Sequence, residues 1–185
     1  MALPQMDGRR YTYADYLKWD DDVRYELIDG VPHAMASPSP VHQSISMELS
    51  GQLWSHLRGK TCKVFTTLDI RLNADSHDNT IVQPDIIVAC DKTKIKNNNH
   101  EGAPDLIIEI LSPSTSKRDK LVKRTLYQSV GVREFWIVDP VDKIVEVNLL
   151  MDDKYCITVY DETETLPVHV LEGCEVSLTD VFQEI

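Results

Sequence analysis

Two apolar runs, each carrying a single acid, constrain this 185-residue chain more than any other feature. Leu106-Ile107-Ile108-Glu109-Ile110-Leu111, and the stretch from Thr80 to Ala89 with Pro84-Asp85 inside it, are too continuously aliphatic to be strands with one wet face. Strands of this kind are buried on both sides, so the fold needs covering layers above and below a sheet. The two acids are then expensive. An isolated carboxylate in a low-dielectric interior costs several kcal/mol or more unless it is paired, protonated or bound to a cation.

The rest of the chain supplies the layers. Val41, Ile45, Leu49, Leu53 and Leu57 recur every four positions, the stripe of an amphipathic helix that starts at Ser39 or Pro40 and stops before Gly59. A second helix is expected from Lys117 to Val130, led in by the turn cluster Ser112-Pro113-Ser114-Thr115-Ser116 and ended by Gly131. Leu121, Val122 and Leu126 mark its buried side, with Lys123 on the margin. Thr12 and Asp15 open a short helix, and Tyr25 to Ile28, Asp29-Gly30 and Val31 to Ala36 form a tight hairpin. Further strands are expected at Cys62 to Leu72, Phe135 to Val138, Ile144 to Leu150 and Tyr155 to Tyr160. The sum is an α/β fold, a central mixed sheet flanked by helices. It reads as one domain over 1–185, with an N-terminal helix and hairpin and a C-terminal acidic β extension.

No apolar stretch approaches the roughly 18 residues of a membrane span, and the N-terminus lacks a signal-like apolar segment. Cys62, Cys90, Cys156 and Cys174 lie far apart with no C-x-x-C pair, so four free thiols and a cytoplasmic location are expected, with no membrane partner. The net charge of −11 argues against a broad nucleic-acid surface. It is unevenly spread, however. Eleven acidic and two basic residues fall between Asp142 and Ile185, whereas Lys117, Arg118, Lys120, Lys123, Arg124 and Arg133 face only Asp119 within nineteen residues. Arg118 and Lys120 are therefore candidate contacts to a DNA backbone.

Hard oxygen ligands such as Asp85 and Glu109 suit Mg²⁺ or Mn²⁺. The absence of His or Cys ligand spacing disfavours a zinc hydrolase. The plainer readings are a strand-end cap for Asp85 and a lysine pair for Glu109.

Glu26-Leu27-Ile28-Asp29-Gly30, His42, Gln83-Pro84-Asp85, Glu109 to Thr115, Asp119, Lys123, Tyr127, Gly131-Val132 and Phe135 to Pro140 together resemble the Uma2 family of restriction-endonuclease-like proteins. The resemblance runs from about Tyr11 to Val147. It implies the PD-(D/E)XK, restriction-endonuclease-like core, in which acids on the second and third core strands bind the metal. Carried over, these are Asp85 and Glu109, with the backbone carbonyl of Ile110 as a further ligand. The chain departs from the pattern at position 111, where the usual lysine is Leu111. The family pattern nominates Lys123 as the catalytic ammonium, with Lys117 and Lys120 as lesser alternatives. An ordinary i,i+4 pair of Lys123 with Asp119 competes with that role. Glu26 is a third candidate acid, or an exposed hairpin charge. His42 is a candidate for phosphate binding or proton transfer, or a polar helix cap. The function implied is a Mg²⁺- or Mn²⁺-dependent endonuclease hydrolysing DNA phosphodiester bonds, and the fold also admits a homodimer. The alternative, favoured by Leu111 and the acidic charge, is a non-catalytic nuclease-fold module for protein-protein assembly.

Overall fold

The computed structural model describes residues 8–19, 23–74, 77–96, 98–112 and 117–183, with the side chains of 117–119 also left undescribed. In chain order the elements are α1 (Tyr13–Tyr16), β1 (Tyr25–Ile28), β2 (Val31–Ala34), α2 (Pro40–Leu57), β3 (Lys63–Thr66), β4 (Asp69–Arg71), β5 (Ile81–Val82), β6 (Ile86–Ala89), β7 (Asn99–Glu101), β8 (Leu106–Ile110), α3 (Lys117–Ser129), β9 (Glu134–Asp139), β10 (Ile144–Met151), β11 (Lys154–Asp161), β12 (Thr165–Pro167), β13 (Glu175–Ser177) and α4 (Leu178–Val181).

A six-stranded mixed sheet, ordered β11-β10-β9-β8-β6-β3, forms the centre. Its β8 runs parallel to β9 and antiparallel to β6. The double-sided burial expected of the apolar runs follows the period of two. Ile86, Val88, Leu106, Ile108, Ile110, Trp136 and Val138 join one core with Ile45, Leu49, Leu53 and Leu57 of α2. Ile87, Ile107, Phe135 and Ile137 join a second core with Tyr127 of α3. These strand residues are at most a few per cent exposed, so trimming Ile107 to alanine costs about 2–5 kcal/mol.

Local signals explain the element ends. The Thr12 amide donates to Asp15 Oδ2 at 3.1 Å, closing the first turn of α1. Ser39 Oγ accepts from the His42 amide at 3.2 Å and caps α2. Asp29 and Gly30 take φ of 49° and 75°, the primed turn that joins β1 to β2. A Cβ at position 30 would lie 3.1 Å from the Tyr11 amide nitrogen, so glycine is required there.

Several expectations are corrected. The expected strand from Cys62 to Leu72 is two strands in different sheets, because Thr67 takes φ of 54° and turns the chain. The one from Thr80 to Ala89 divides into β5 and β6 around Pro84, which has no N–H to continue a ladder. A second sheet, β2-β1-β5-β4-β7, results from these divisions. In the acidic C-terminal region, Leu166, Val168, Val176, Leu178, Val181 and Phe182 pack into the α2-side core. Val41 is 39% exposed, outside the buried stripe of α2. On α3, Leu121 and Val122 are exposed, while Tyr127 is fully buried. The expected turn at Pro113 to Ser116 lies outside the described residues.

Four free thiols are also not found, since Cys62 and Cys90 form a disulfide. The register sets Lys63 opposite Ala89, which brings the flanking cysteines across from one another at the end of the β3–β6 pair. Cys156 and Cys174 remain free.

Candidate active site

The two acids of the apolar runs meet because β6 and β8 are antiparallel neighbours. Ile86 stands opposite Ile108, which sets Asp85, one residue before β6, beside Glu109 on β8. Asp85 Oδ2 accepts from the Ile110 amide at 2.7 Å and from His42 Nε2 at 3.1 Å. Proline at 84 frees this position from the ladder and lets the carboxylate turn back on the neighbouring strand.

Glu109 shares its side of the sheet with α3. Its Oε1 accepts from Lys123 Nζ at 2.9 Å and from the Tyr127 hydroxyl at 2.7 Å. Lys123 and Tyr127 are four residues apart and so lie on one face of α3. The Tyr127 ring is fixed edge-on against Phe135, with centroids 4.9 Å apart. Lys123 Nζ also reaches Glu26 Oε1 at 2.9 Å, and the Gln83 amide donates to that same oxygen at 3.0 Å. One ammonium thus bridges an acid of the hairpin and an acid of the central sheet.

The electrostatics follow from burial and crowding. Burial first, with Glu26 and Asp85 adding repulsion against the opposing pull of Lys123, pushes the Glu109 carboxyl up to about 7. Burial also works against the Lys123 ammonium, but Glu109 and Glu26 outweigh it and hold the group above its ordinary range. Burial and the same carboxylates keep the Tyr127 hydroxyl protonated. The hydrogen bond to Asp85 raises His42, with burial opposing.

The site lies in a cleft of about 1300 Å³. The hairpin, α2 and the ends of β6 and β8 wall it, with Arg24, Met47 and Trp54 on its lining beside Glu26, Asp85 and Glu109. The structure therefore brings Glu26, His42, Asp85, Glu109 and Lys123 together. Glu26 is 6% exposed, so the reading of it as an exposed hairpin charge is corrected. The solvated-face reading of Lys123 is corrected too, since its side chain is 17% exposed and engaged by both acids. Ser39, not His42, caps α2. Lys120 lies 3.5 Å from Asp139 Oδ2 and lines a small cavity shared with Glu109 and Lys123. The side chains of Lys117, Arg118 and Asp119 lie outside those described. Leu111 packs among the apolar residues beside α3. Sequence alone does not assign Tyr127 or the Gln83 amide to the site. The four-residue spacing from Lys123 was the available signal for Tyr127.

The donor set suits a hydrated divalent cation. Three carboxylates converge on one ammonium and one imidazole, leaving net negative charge. Asp85 Oδ1 and Glu109 Oε2 receive no hydrogen bond among the described residues. No three His, Cys, Asp or Glu side chains form a ready metal cage among the described residues. Mg²⁺ keeps several waters and is bound through one or two carboxylates, which Asp85 and Glu109 could supply.

Comparison with known proteins agrees with this architecture. A protein 34% identical over 115 residues is the uncharacterized protein slr1290 of Synechocystis sp. (strain ATCC 27184 / PCC 6803 / Kazusa); the match spans 61% of this chain and 60% of that relative's length. A crystal structure described as a putative nuclease belonging to DUF820, from Anabaena variabilis ATCC 29413, superposes with a TM-score of 0.76. It covers 93% of this chain and 97% of that one at 22% identity, which shows a shared fold. The Uma2 family model, described as "Putative restriction endonuclease", matches residues 13–179. With that match over most of its length and a restriction-endonuclease-like fold, the chain belongs to the Uma2 family.

Proposed function

We propose that this chain is a metal-dependent endonuclease that hydrolyses DNA phosphodiester bonds, using Mg²⁺ or Mn²⁺. The observation that carries the reading is the placement of Lys123 Nζ 2.9 Å from Glu109, beside Asp85, at a cleft wall. An ammonium supplied from α3 can take the place of the lysine that Leu111 lacks. Asp85, Glu109 and the Ile110 carbonyl would hold the cation, which when bound polarises a phosphoryl oxygen and lowers the pKa of a water.

The chain's own groups have distinct tasks. Lys123 faces the position where negative charge grows on the phosphate and neutralises it. Glu26 and Tyr127 keep that ammonium and Glu109 oriented, so little reorganisation is left for the reaction. His42, hydrogen-bonded to Asp85, stands where a proton can be taken up or released beside the phosphate. DNA binding draws on the basic start of α3, Arg118 and Lys120.

The test is cleavage of duplex DNA by the purified chain with Mg²⁺, with Mn²⁺ and with EDTA. Cleavage that needs the cation and disappears in Glu109→Gln supports the reading. Cation-independent cleavage, or equal cleavage by that variant, removes it. A folded chain that neither cuts DNA nor binds a divalent cation favours the non-catalytic assembly module, in which the Glu26–Lys123–Glu109 bridge serves only to join the hairpin, sheet and α3.

A further inference from the structure

The central sheet ends on one side in β11, an eight-residue strand with six exposed residues. The Leu150 amide donates to the Arg133 carbonyl, away from β11, and Leu150 stands opposite Tyr155. The Leu150–Tyr155 pair is therefore a non-hydrogen-bonded one, and Tyr155 turns its own amide away from β10. By the strand period of two, Ile157, Val159 and Asp161 do the same. The chain covers the two ends of this open edge itself. The Tyr155 amide donates to Gln128 Oε1 at 3.0 Å, and the Asp161 amide to Glu164 Oε2 at 2.8 Å. The amides of Ile157 and Val159 receive no partner among the described residues.

We propose that this gap receives the β11 edge of a second copy of this chain, antiparallel, about a two-fold axis normal to the sheet and passing beside Thr158. A two-fold along the sheet normal keeps each residue on its own face, so only residues of like parity can stand opposite one another. Centring on Thr158 sets Ile157 against Val159 of the second copy, twice. Each pair exchanges two N–H···O=C bonds through the uncovered amides. Centring on Ile157 instead sets Val159 against Tyr155, whose amide Gln128 already occupies. The same register lets two side chains cover each other, Ile157 at 50% and Val159 at 54% exposed. It also places Lys154 opposite Glu162 of the second copy, so the charges at the strand ends are complementary. The ladder stops where Gln128 and Glu164 cap it.

Sedimentation of the full chain over a concentration series should show a monomer–dimer equilibrium. Val159→Pro removes an N–H that faces away from β10 and so spares the native ladder. Each dimer uses that bond twice, so the dissociation constant should rise about ten- to hundredfold. Thr158→Cys in a Cys156→Ser background should form an interchain disulfide on oxidation, because the residue meets itself in a non-hydrogen-bonded pair about 4.5 Å apart. Ile157→Cys in that background should not. A chain that stays monomeric overturns the proposal, as does a dimer that is indifferent to Val159→Pro or cross-links through Ile157→Cys instead. If Val159→Pro fails to fold, the two cysteine variants decide.

Discussion

Replacing Lys123 by methionine keeps the length of the buried stem and deletes the ammonium between two acids. Lys123 Nζ lies 2.9 Å from both Glu26 Oε1 and Glu109 Oε1. All three side chains are less than a fifth exposed, so solvent screens the pair weakly. Removing one partner of such a pair costs about 3–5 kcal/mol, because the remaining charges stay buried. The pH dependence separates this cost from lost packing. In metal-free protein the Glu109 carboxyl is pushed up from 4.5 to about 7, so between those values the folded chain binds the proton more tightly than the unfolded chain. That stabilisation is complete below pH 4.5 and is lost as pH rises through about 7. Lys123 is held above its ordinary value, so its own contribution persists across this whole window. Without the ammonium, Glu109 titrates higher still, and the decline extends to higher pH. Urea denaturation in EDTA should therefore show Lys123→Met losing less at about pH 5, where a largely protonated Glu109 needs the ammonium less, than at about pH 8, where the loss is about 3–5 kcal/mol. An equal loss at both values would refute the claim that a shared ammonium relieves Glu109.

Other perturbations test separate parts of the site. Lys123→Ala should lower turnover by orders of magnitude while leaving DNA affinity nearly unchanged, measured by single-turnover cleavage and a binding titration; parallel losses would contradict the assigned role. Leu111→Lys introduced into that variant should recover part of the activity, since position 111 adjoins Glu109 and Lys123 around one small cavity; no recovery would mean that the ammonium must approach from α3. Tyr127→Phe removes a donor to Glu109 Oε1, so stability should fall by about 1–3 kcal/mol and the Glu109 carboxyl should titrate higher by NMR; an unchanged titration would contradict that hydrogen bond. The double variant Cys62→Ala, Cys90→Ala opens a disulfide spanning 28 residues and should cost about 3–4 kcal/mol in the urea midpoint analysis, whereas an unchanged midpoint would show that the bridge does not stabilise the sheet edge.

Much of this architecture can be read from local chemistry. The Ser39 cap, the four-residue stripe of α2, the Asp29-Gly30 turn and the double-sided strand around Glu109 each depend on neighbours in sequence, and each stands in the structure. Asp85 and Glu109 stand out for the same reason, as acids in aliphatic runs. Features set by tertiary pairing were not legible. The division into two sheets depends on a left-handed φ at Thr67, a conformation that threonine does not signal. The Cys62–Cys90 link depends on the β3–β6 register, which residue spacing cannot provide. On α3 the apolar stripe misleads: Leu121 and Val122 face solvent while Lys123 turns inward, because two buried carboxylates outweigh the burial of two aliphatic side chains. Such a reversal of local preference is expected where charge has been gathered for a site.

The central claim is that Asp85 and Glu109 hold a divalent cation. The most direct measurement is a Mn²⁺ titration of wild type, Asp85→Asn and Glu109→Gln, followed by electron paramagnetic resonance, with folding checked by circular dichroism. The expected result is a single saturable site in the wild type, displaced by Mg²⁺ and weakened at least about tenfold in each folded variant. No saturable Mn²⁺ binding by the wild type, or binding that both variants retain unchanged, would contradict it.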